Sequence, residues 1–352
     1  MRIAFFGSSL VSCYWNGAAT YYRGIVRALH GRGHGITFYE PDIYERQAHR
    51  DIQDPSWARV VVYPADQWER TVERARGVDV VVKATGVGAN DCELEAAVVE
   101  LGAPVTVFWD VDAPATLARL DADREDPLLE LLPRYDLVLT YGGGDPVVDH
   151  YRALGARDCV PVYNALDPTT HRPAAADARF EADLAFLGNR LPDREERVEA
   201  FFLRAAELAP RRSFLLGGAG WGDVALRANV VWIDHVPTRD HNALNCSARA
   251  VLNVNRDSMA RFGFSPPTRV FEAAGAGACL ITDAWEGVEL FLEPDEEVLV
   301  ARDGTEVAEL VEGLDAKRAR AIGKRARRRV LAEHTYDRRA ELVERVLSGV
   351  AV

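Results

Sequence analysis

Short, continuous apolar segments recur along the whole chain and alternate with longer segments whose apolar residues are spaced three or four positions apart. The short segments have the length and β-branched content of buried strands, and the longer ones have the period of amphipathic helices. Strands that are apolar throughout belong to parallel sheets with helices on both faces. The pattern therefore predicts an α/β protein.

The first half of the chain contains six predicted strands and four predicted helices, followed by a linker. The strands are Arg2–Phe6, Gly35–Tyr39, Val60–Tyr63, Val78–Lys83, Pro104–Trp109 and Asp136–Thr140. The helices are Ala18–His30, Asp66–Ala75, Asp91–Leu101 and Pro146–Leu154. Val160–Pro173 has three prolines and little periodicity, which is typical of a linker between domains.

The second half begins the same alternation again. Ala182–Gly188 repeats the order of strand and glycine seen at Arg2–Gly7, and five predicted strands follow it. They are Phe214–Leu216, Val230–Ile233, Ala250–Val254, Ala278–Thr282 and Glu297–Val300. Two similar halves predict two Rossmann-like domains with parallel sheets facing an inter-domain cleft. We place one domain at residues 1–165, a second domain at 166–334 and a C-terminal helix at 335–352.

Composition excludes several classes of protein. A chain of 352 residues with 48% hydrophobic and 27% charged residues is long enough for two folded domains. Its net charge of −12 argues against a nucleic-acid partner, and no apolar run is long enough for a membrane span. The five cysteines are scattered, as in reduced, mostly buried thiols. We therefore predict a cytoplasmic protein, and its oligomeric state stays open.

The segment Ala250–Glu289 contains the strongest candidate site. A predicted strand, Ala250–Val254, is followed by a polar loop and then by Ser265, Pro266 and Pro267, which together signal the start of a helix. A helix that begins at the carboxyl edge of a parallel sheet presents unpaired N–H groups to an anion. The segment therefore predicts a phosphate-binding site.

The same segment resembles a known family. The stretch RVFEAAGAGACLITD, with EGVELF after it, resembles the donor-nucleotide segment of retaining GT-B glycosyltransferases (group 1, GT4-like), and more closely their CgeB-like branch. The resemblance implies that Glu272 accepts hydrogen bonds from the two ribose hydroxyls of a nucleotide sugar. The family pattern has two glutamates with seven residues between them, and Phe264 occupies the first position here.

Several arginines are candidates for binding the diphosphate of such a donor. Arg190 and Arg194 follow the strand Ala182–Gly188, where a guanidinium would bind phosphate bidentately. The family resemblance favours one of them without deciding which, and the alternative is that both are surface charges. Further candidates near the predicted helix are Arg256 and Arg269, with backbone N–H groups at Phe264 and Ser265.

The resemblance implies that residues 1–165 form an acceptor-side domain, that residues 166–334 form the donor domain, and that the helix at 335–352 crosses back to the first domain. It also implies roles for four other positions. Gly17 lies in a glycine-containing loop that approaches the donor phosphate or the acceptor, and only a small residue permits that approach. His235 lies in the turn that contacts the nucleobase, although a histidine after a strand is also compatible with a structural role. Gly287 and Glu289 match a G-x-E region near the sugar hydroxyls.

Asp110 and Asp112 follow a predicted strand and look like the metal-binding DxD motif of GT-A enzymes. GT-B enzymes instead neutralise the leaving diphosphate with helix dipoles and arginine, so we predict no metal site. The two carboxylates would bind an acceptor hydroxyl, or would supply a general base if the reaction inverts configuration. The alternative is a helix cap and a buried turn.

The sequence therefore predicts a metal-independent glycosyltransferase that uses a nucleotide diphosphate sugar as co-substrate and no other cofactor. Its partners would be that donor and a small-molecule or glycan acceptor. Two alternatives stay open: a nucleotide-sugar epimerase or hydrolase of the same fold, and a non-catalytic nucleotide-sugar-binding protein. The nucleotide, the sugar, the acceptor and the stereochemical outcome are left undetermined.

Overall fold

The computed structural model describes residues 1–14 and 16–350, and the chain divides into two compact units. The first unit contains Met1–Asn164 and the C-terminal segment from Tyr336, and the second unit contains Ala165–Thr335. Each unit is built on one sheet in which every pair of neighbouring strands is parallel.

The first unit has a seven-stranded sheet in the order β3-β2-β1-β4-β5-β6-β7. Its strands are β1 (Arg2–Phe6), β2 (Gly35–Pro41), β3 (Arg59–Tyr63), β4 (Val80–Ala84), β5 (Val105–Asp110), β6 (Leu137–Thr140) and β7 (Cys159–Pro161). Its helices are α1 (Ala19–Gly31), α2 (Trp68–Glu73), α3 (Asp91–Glu100), α4 (Ala113–Ala122), α5 (Pro127–Leu131) and α6 (Gly144–Ala153).

The second unit has a six-stranded sheet in the order β10-β9-β8-β11-β12-β13. Its strands are β8 (Leu184–Leu187), β9 (Phe214–Gly217), β10 (Val230–Ile233), β11 (Ala250–Asn253), β12 (Leu280–Asp283) and β13 (Leu299–Ala301). Its helices are α7 (Glu195–Val198), α8 (Arg204–Leu208), α9 (His241–Ser247), α10 (Asp257–Phe262), α11 (Thr268–Ala276), α12 (Gly304–Gly313) and α13 (Ala316–Glu333), and a π-helical turn, Glu199–Leu203, joins the first two.

The last helix, α14 (Tyr336–Val350), completes the first unit by packing on α1. The ring of Tyr336 lies where a side chain at Gly24 would be, because a Cβ atom there would come within 2.3 Å of the ring. Arg32 donates to the carboxylate of Glu344 at 2.8 Å. The absence of a side chain at Gly24 thus allows the two helices to approach closely.

Both sheets are buried by apolar side chains on each face. In the first unit the rings of Phe5 and Phe38 stack at 5.1 Å, and Trp109 is buried beside them. In the second unit Phe186 and Phe202 lie in the apolar core between the sheet and its helices. Each such ring contributes about 2–3 kcal/mol through the area it removes from water.

The predicted fold class is confirmed, because both halves are parallel, Rossmann-like α/β units. Both sheets share one topology, in which the first strand lies at the centre and the second and third lie to one side. The sequence did not predict β7 or the helices α4 and α5, and it gave no bounds for most helices of the second unit. A strand of three residues, such as β7, is too short to show a period.

Two further expectations concern membrane-spanning helices and the burial of the cysteine thiols. None of the described helices combines the length and the apolar character needed to cross a membrane. The thiols were expected to be mostly buried, which is wrong for Cys13 and Cys92, whose residues are exposed.

Candidate functional site

The candidate site of the second unit lies at the carboxyl ends of its central strands. Strands β8 and β11 are neighbours, and the chain continues from β8 to β9 on one side and from β11 to β12 on the other. Because the two connections lead away from each other, a crevice forms outside the carboxyl ends of β8 and β11. Gly188 and Asn189 follow β8, and Gly218 follows β9. In open α/β sheets this crevice is where ligands bind.

The loops after β8 and β9 lie unusually close together. Gly218 has φ of +126°, and a Cβ atom there would lie 2.3 Å from the carbonyl oxygen of Gly188. The Trp221 indole N–H also donates to that oxygen at 2.9 Å. The glycine at position 218 is therefore required by both its dihedral angle and the available space. The two loops form one wall of a cavity.

This cavity has a volume of about 290 Å³. Three of the predicted donor-binding residues line it, namely His235, Arg269 and Glu272. The other lining residues are Leu187, Gly188, Asn189, Gly218, Val236, Thr238, His241 and Asn245. The structure therefore gathers residues from β8, from the turn after β10, and from α9 and α11 around one concave space.

Arg194 and Arg269 approach one another beside the cavity. Both are half-buried, and their guanidinium carbons lie 5.7 and 5.5 Å from the ring centre of Phe186. Nη2 of Arg194 donates to the carbonyl oxygen of Asn189 at 2.7 Å. Among the described residues, neither arginine forms an ion pair, and Nε of Arg194 and Nη1 of Arg269 are buried without a hydrogen-bond partner.

The electrostatics of the two arginines are unfavourable without a ligand. Burial, reinforced by the like charge of Arg194, lowers the pKa of Arg269 to about 10, and Glu272 opposes this only in part. Burial also lowers the pKa of Arg194. Two poorly solvated cations that lack carboxylate partners create a site of positive potential at the sheet edge.

Glu272 lies on α11 between two histidines that the sequence analysis did not select. Its Oε1 is 3.8 Å from Nε2 of His171, and its side chain is 21% exposed. Burial lowers the pKa of His241, and the carboxylate of Glu272 acts in the opposite direction. Nε2 of His241 lies 3.2 Å from the carbonyl oxygen of Val236, so this nitrogen carries a proton.

The start of α11 differs from the sequence prediction. The helix begins at Thr268, its N-cap is Pro267, and no side chain caps it, so Ser265 is not the predicted cap. The hydroxyl of Ser265 is buried and has no hydrogen-bond partner among the described residues. The backbone N–H of Phe264 donates to the carbonyl oxygen of Glu286 at 2.6 Å, so this group is not available to a phosphate.

Two of the four arginine candidates are committed to carboxylates. Arg190 donates to Asp223 at 2.7 Å and also to Glu195. Arg256 forms an ion pair with Asp193. Both guanidinium groups are thus already paired with carboxylates within the chain, and their roles as phosphate ligands stay predictions. Of the two arginines between which the sequence left the choice open, Arg194 is the one without an ion pair among the described residues.

Gly287 and Phe264 pack against one another rather than lining the cavity. A Cβ atom at Gly287 would lie 2.3 Å from the Phe264 ring, and Gly287 has φ of +90°. Phe264 itself has φ of +45°. Glu289 is exposed in the short 3-10 turn Val288–Leu290 that follows. The glutamate position of the family pattern is therefore filled by a ring that covers this turn.

A buried polar cluster at the ends of β11 and β12 was not predicted. Asp283 is fully buried. Its carboxylate forms an ion pair with Arg197 at 2.6 Å and accepts a hydrogen bond from the Asn255 backbone N–H at 3.2 Å. Burial raises its pKa although Arg197 opposes the shift. No motif marks an arginine and an aspartate 86 positions apart as partners. The cluster fixes the loop after β11.

Asp110, at the end of β5 in the first unit, is fully buried. Its carboxylate accepts hydrogen bonds from the hydroxyl of Tyr151 at 2.5 Å and from Thr85 and the Asp112 backbone N–H, both at 2.9 Å. Burial raises its pKa. All of these contacts lie inside the protein, which argues against a catalytic role for Asp110, and that role stays a prediction. Asp112 is half-buried at the N-cap of α4.

A second polar cluster lies at the end of β4. Lys83 is fully buried at the end of β4 and forms ion pairs with Asp91 at 2.7 Å and Glu95 at 3.7 Å.

Gly17 is exposed just before α1, and a Cβ atom there would meet nothing within 4 Å. The space at Gly17 is therefore not taken by the chain itself.

Within residues 1–14 and 16–350, no group of three or more His, Cys, Asp or Glu side chains is arranged to hold a metal ion. The carboxylate of Asp110, the first member of the DxD sequence, is occupied by protein donors. The described residues therefore offer no metal-binding set at this motif.

Comparison with known proteins adds two independent results. Residues 194–345 match the family described as glycosyl transferase-like. No curated protein matches the chain. The matched range begins at Arg194 and includes Arg269 and Glu272, so most of the candidate site lies within it.

Solved structures share the whole fold at low sequence identity. The sucrose-phosphate synthase from Thermosynechococcus elongatus is 14% identical, with 99% of each chain covered and a TM-score of 0.72. HepE from Anabaena, solved with UDP and glucose, is 13% identical, with 99% of this chain and all of that chain covered and a TM-score of 0.68. AviGT4, a glycosyltransferase of avilamycin A biosynthesis, is 18% identical, with 100% and 98% covered and a TM-score of 0.62.

Likeness at these identities establishes the fold, and the family match is confined to residues 194–345, which are somewhat less than half of the chain. The CgeB-like branch stays a prediction. The chain therefore has the GT-B fold of these structures, and its residues 194–345 are similar to the glycosyl transferase-like family.

Proposed function

We propose that the second unit binds a nucleotide diphosphate sugar and that the protein transfers the sugar to a hydroxyl or amine of a small-molecule or glycan acceptor. The observation that carries this proposal is the pair Arg194 and Arg269, two half-buried cations without ion pairs among the described residues. A buried charge without a partner is costly, and a bound diphosphate would offset that cost with two bidentate contacts.

The rest of the cavity suits the nucleoside part of such a donor. Glu272 offers a carboxylate, which accepts hydrogen bonds from both hydroxyls of a ribose. His235 and Thr238 follow β10 on another wall of the cavity and would flank the base. HepE, which shares the fold, was solved with UDP-glucose, and this supports the same donor class here.

Catalysis would depend mainly on stabilising the leaving group. As the bond to the anomeric carbon breaks, negative charge grows on the diphosphate, and Arg194 and Arg269 would stabilise it more strongly than they stabilise the intact donor. If configuration is retained, no strong side-chain base is needed. If it is inverted, Asp112 is the candidate base, because Asp110 is buried among protein donors.

We further propose that the reaction needs no metal ion and no resident cofactor. Two arginines supply the positive charge that a divalent cation supplies elsewhere, and the hydrogen bonds to Asp110 argue against the DxD sequence as a ligand set. Activity measured in excess EDTA should equal activity in Mg²⁺. A loss of activity in EDTA that Mg²⁺ or Mn²⁺ restores would contradict this part of the proposal.

Phe264 favours one alternative, a protein that binds nucleotide sugars without transferring them. The residue stands where the family pattern has its first glutamate, and its ring covers Gly287. An epimerase or hydrolase of the same fold is the other alternative. Product analysis of a donor with and without acceptors separates the three, since only a transferase requires the acceptor for turnover.

The first experiment is a thermal-unfolding screen with UDP, GDP, dTDP and their sugars, because a ligand that binds the native state raises the Tm. We expect at least one nucleoside diphosphate to raise the Tm by several degrees. Arg269→Gln and Glu272→Ala should each reduce the rise at a fixed nucleotide concentration, because each lowers the affinity. Arg302→Gln is the matched control, because this exposed arginine pairs with Glu306 of α12 and does not line the cavity. Failure of every nucleotide to stabilise the protein would refute the proposal.

A further inference from the structure

The segment from Asp167 to Arg172, just before the second unit's sheet begins, is held rigidly against two helices. The side-chain amide of Asn242 in α9 donates to the carbonyl oxygen of Thr170 at 2.8 Å, and its oxygen accepts from the Arg172 backbone N–H at 3.3 Å. Two hydrogen bonds to one amide fix both the position and the direction of this segment.

The segment also lies directly on α11. A Cβ atom at Gly275 would come within 2.3 Å of the Leu166 side chain and 3.1 Å of the carbonyl oxygen of His171. The helix therefore has a glycine where the segment crosses it. One helical turn earlier on the same helix is Glu272, so the crossing brings His171 next to that carboxylate.

His171 is oriented as well as placed. Its side chain is 10% exposed, Nδ1 lies 3.0 Å from the hydroxyl of Thr170, and Nε2 lies 3.8 Å from Oε1 of Glu272. A carboxylate oxygen accepts hydrogen bonds and does not donate them when ionised. A proton on Nε2 is thus the favourable arrangement, because a lone pair there would face another acceptor.

We propose that His171 is a positioning residue whose Nε2–H holds the Glu272 carboxylate toward the cavity, where that carboxylate receives the ribose hydroxyls of the donor. The inference rests on the proposed function for the role of Glu272, and on geometry alone for the pairing. The distance of 3.8 Å leaves the carboxylate oxygens able to accept further hydrogen bonds. His171 does not touch the donor in this arrangement and acts through Glu272.

The pairing is tested without any ligand by NMR of the imidazole nitrogens. We expect Nε2 of His171 to be protonated in the free protein, and its resonance to shift when Glu272→Gln replaces the carboxylate. An unprotonated Nε2, or a resonance indifferent to that substitution, would overturn the inference whether or not nucleotides bind.

The effect of His171 on binding is tested with four variants and the nucleoside diphosphate that stabilises the protein most. His171→Phe should weaken binding about tenfold, which corresponds to about 1.4 kcal/mol. His171→Gln, whose amide nitrogen replaces Nε2–H, should recover binding to within about threefold. In the Glu272→Ala background, His171→Phe should cause no additional loss, because residues that act through one another are not additive.

Three outcomes would count against the inference. They are equal binding by the wild type and His171→Phe, failure of His171→Gln to rescue, and an undiminished loss in the Glu272→Ala background. Unfolding temperatures of each variant without ligand show whether the fold is intact. If nucleotides bind but Glu272→Ala has no effect, the proposed role of Glu272 fails instead. The chain then binds its donor by another route while the NMR result still decides the pairing.

Discussion

Arg194 and Arg269 lie beside the same ring, that of Phe186, with their guanidinium carbons less than 6 Å from its centre and no carboxylate paired to either among the described residues. Cation–π contact compensates each charge in part. It does not remove the repulsion between them, which contributes to the lowered pKa of Arg269. The native fold thus maintains an unfavourable contact at the place where an anionic donor would bind.

Replacing one of these arginines should separate stability from binding. Arg269→Gln removes a poorly solvated cation, so we expect the free energy of unfolding of the free protein to stay equal or to rise by about 1 kcal/mol. Binding of the nucleoside diphosphate should weaken at least about tenfold, because a charge-assisted contact is lost. Chemical denaturation and calorimetry measure the two quantities. A large loss of stability with unchanged binding would show that the residue is structural.

The two aspartates at the end of β5 should behave differently. Asp110→Ala leaves three protein donors without an acceptor, and we expect it to lower the free energy of unfolding by about 2–4 kcal/mol. Asp112→Ala should cost less than about 1 kcal/mol, since that side chain is half-buried and does not cap α4. If the reaction inverts configuration, Asp112→Ala should also lower kcat by about a hundredfold or more. Similar stabilities for the two variants would contradict the burial of Asp110.

Two glycines in neighbouring helices form a matched pair. A Cβ atom at Gly323 in α13 would lie 2.1 Å from the carbonyl oxygen of Gly277, so Gly323→Ala should destabilise the protein by about 2 kcal/mol or more. Gly313 ends α12 with nothing within 4 Å of such an atom. Gly313→Ala should therefore be neutral or stabilising by up to about 1 kcal/mol. Denaturant unfolding compares the two, and equal effects would mean that α13 does not contact Gly277.

Acid should weaken the second unit in part through His241. Burial lowers the pKa of this imidazole in the folded protein, although Glu272 opposes the shift, while Arg269 and His171 add to it. The unfolded chain consequently binds the proton first as pH falls below about 6.5, and the free energy of unfolding decreases through that range. His241→Gln retains a donor for the carbonyl oxygen of Val236 but does not titrate.

Urea unfolding at pH 7.5 and pH 5.5 measures this contribution. The loss of stability between the two values should be smaller for His241→Gln than for the wild type. His34 in the first unit also has a pKa lowered by burial and contributes in the same direction, so the comparison must be between variants rather than between proteins. An identical loss for both proteins would contradict the burial of His241.

Local pattern accounts for most of the fold. Arg2–Phe6 and Val230–Ile233 were predicted with the bounds that the structure has, because a buried parallel strand is apolar throughout and is bounded by polar turns. The repeated order of elements also indicated the second Rossmann-like unit. A three-residue strand such as β7 escaped prediction, since so few residues show no period.

Only part of the candidate site could be predicted from the sequence. The sequence pointed to Glu272, Arg269 and Arg194 through a helix start and a family resemblance, but it could not tell Arg194 from Arg190. The difference is a tertiary one, because Asp223 and Glu195 neutralise Arg190 and no described carboxylate reaches Arg194. Phe264 likewise looked able to offer its N–H group until its bond to the Glu286 carbonyl was known.

The sequence by itself determined the class of fold, the order of most of its strands, and the neighbourhood of the site, because hydrophobic period and helix-start residues act over short stretches of chain. Only the tertiary structure decided which charges have partners and which residues meet. His171 stands in a proline-rich linker about a hundred residues before Glu272, and no local pattern relates the two. Their contact arises because Gly275 and Asn242 fix that linker against two helices.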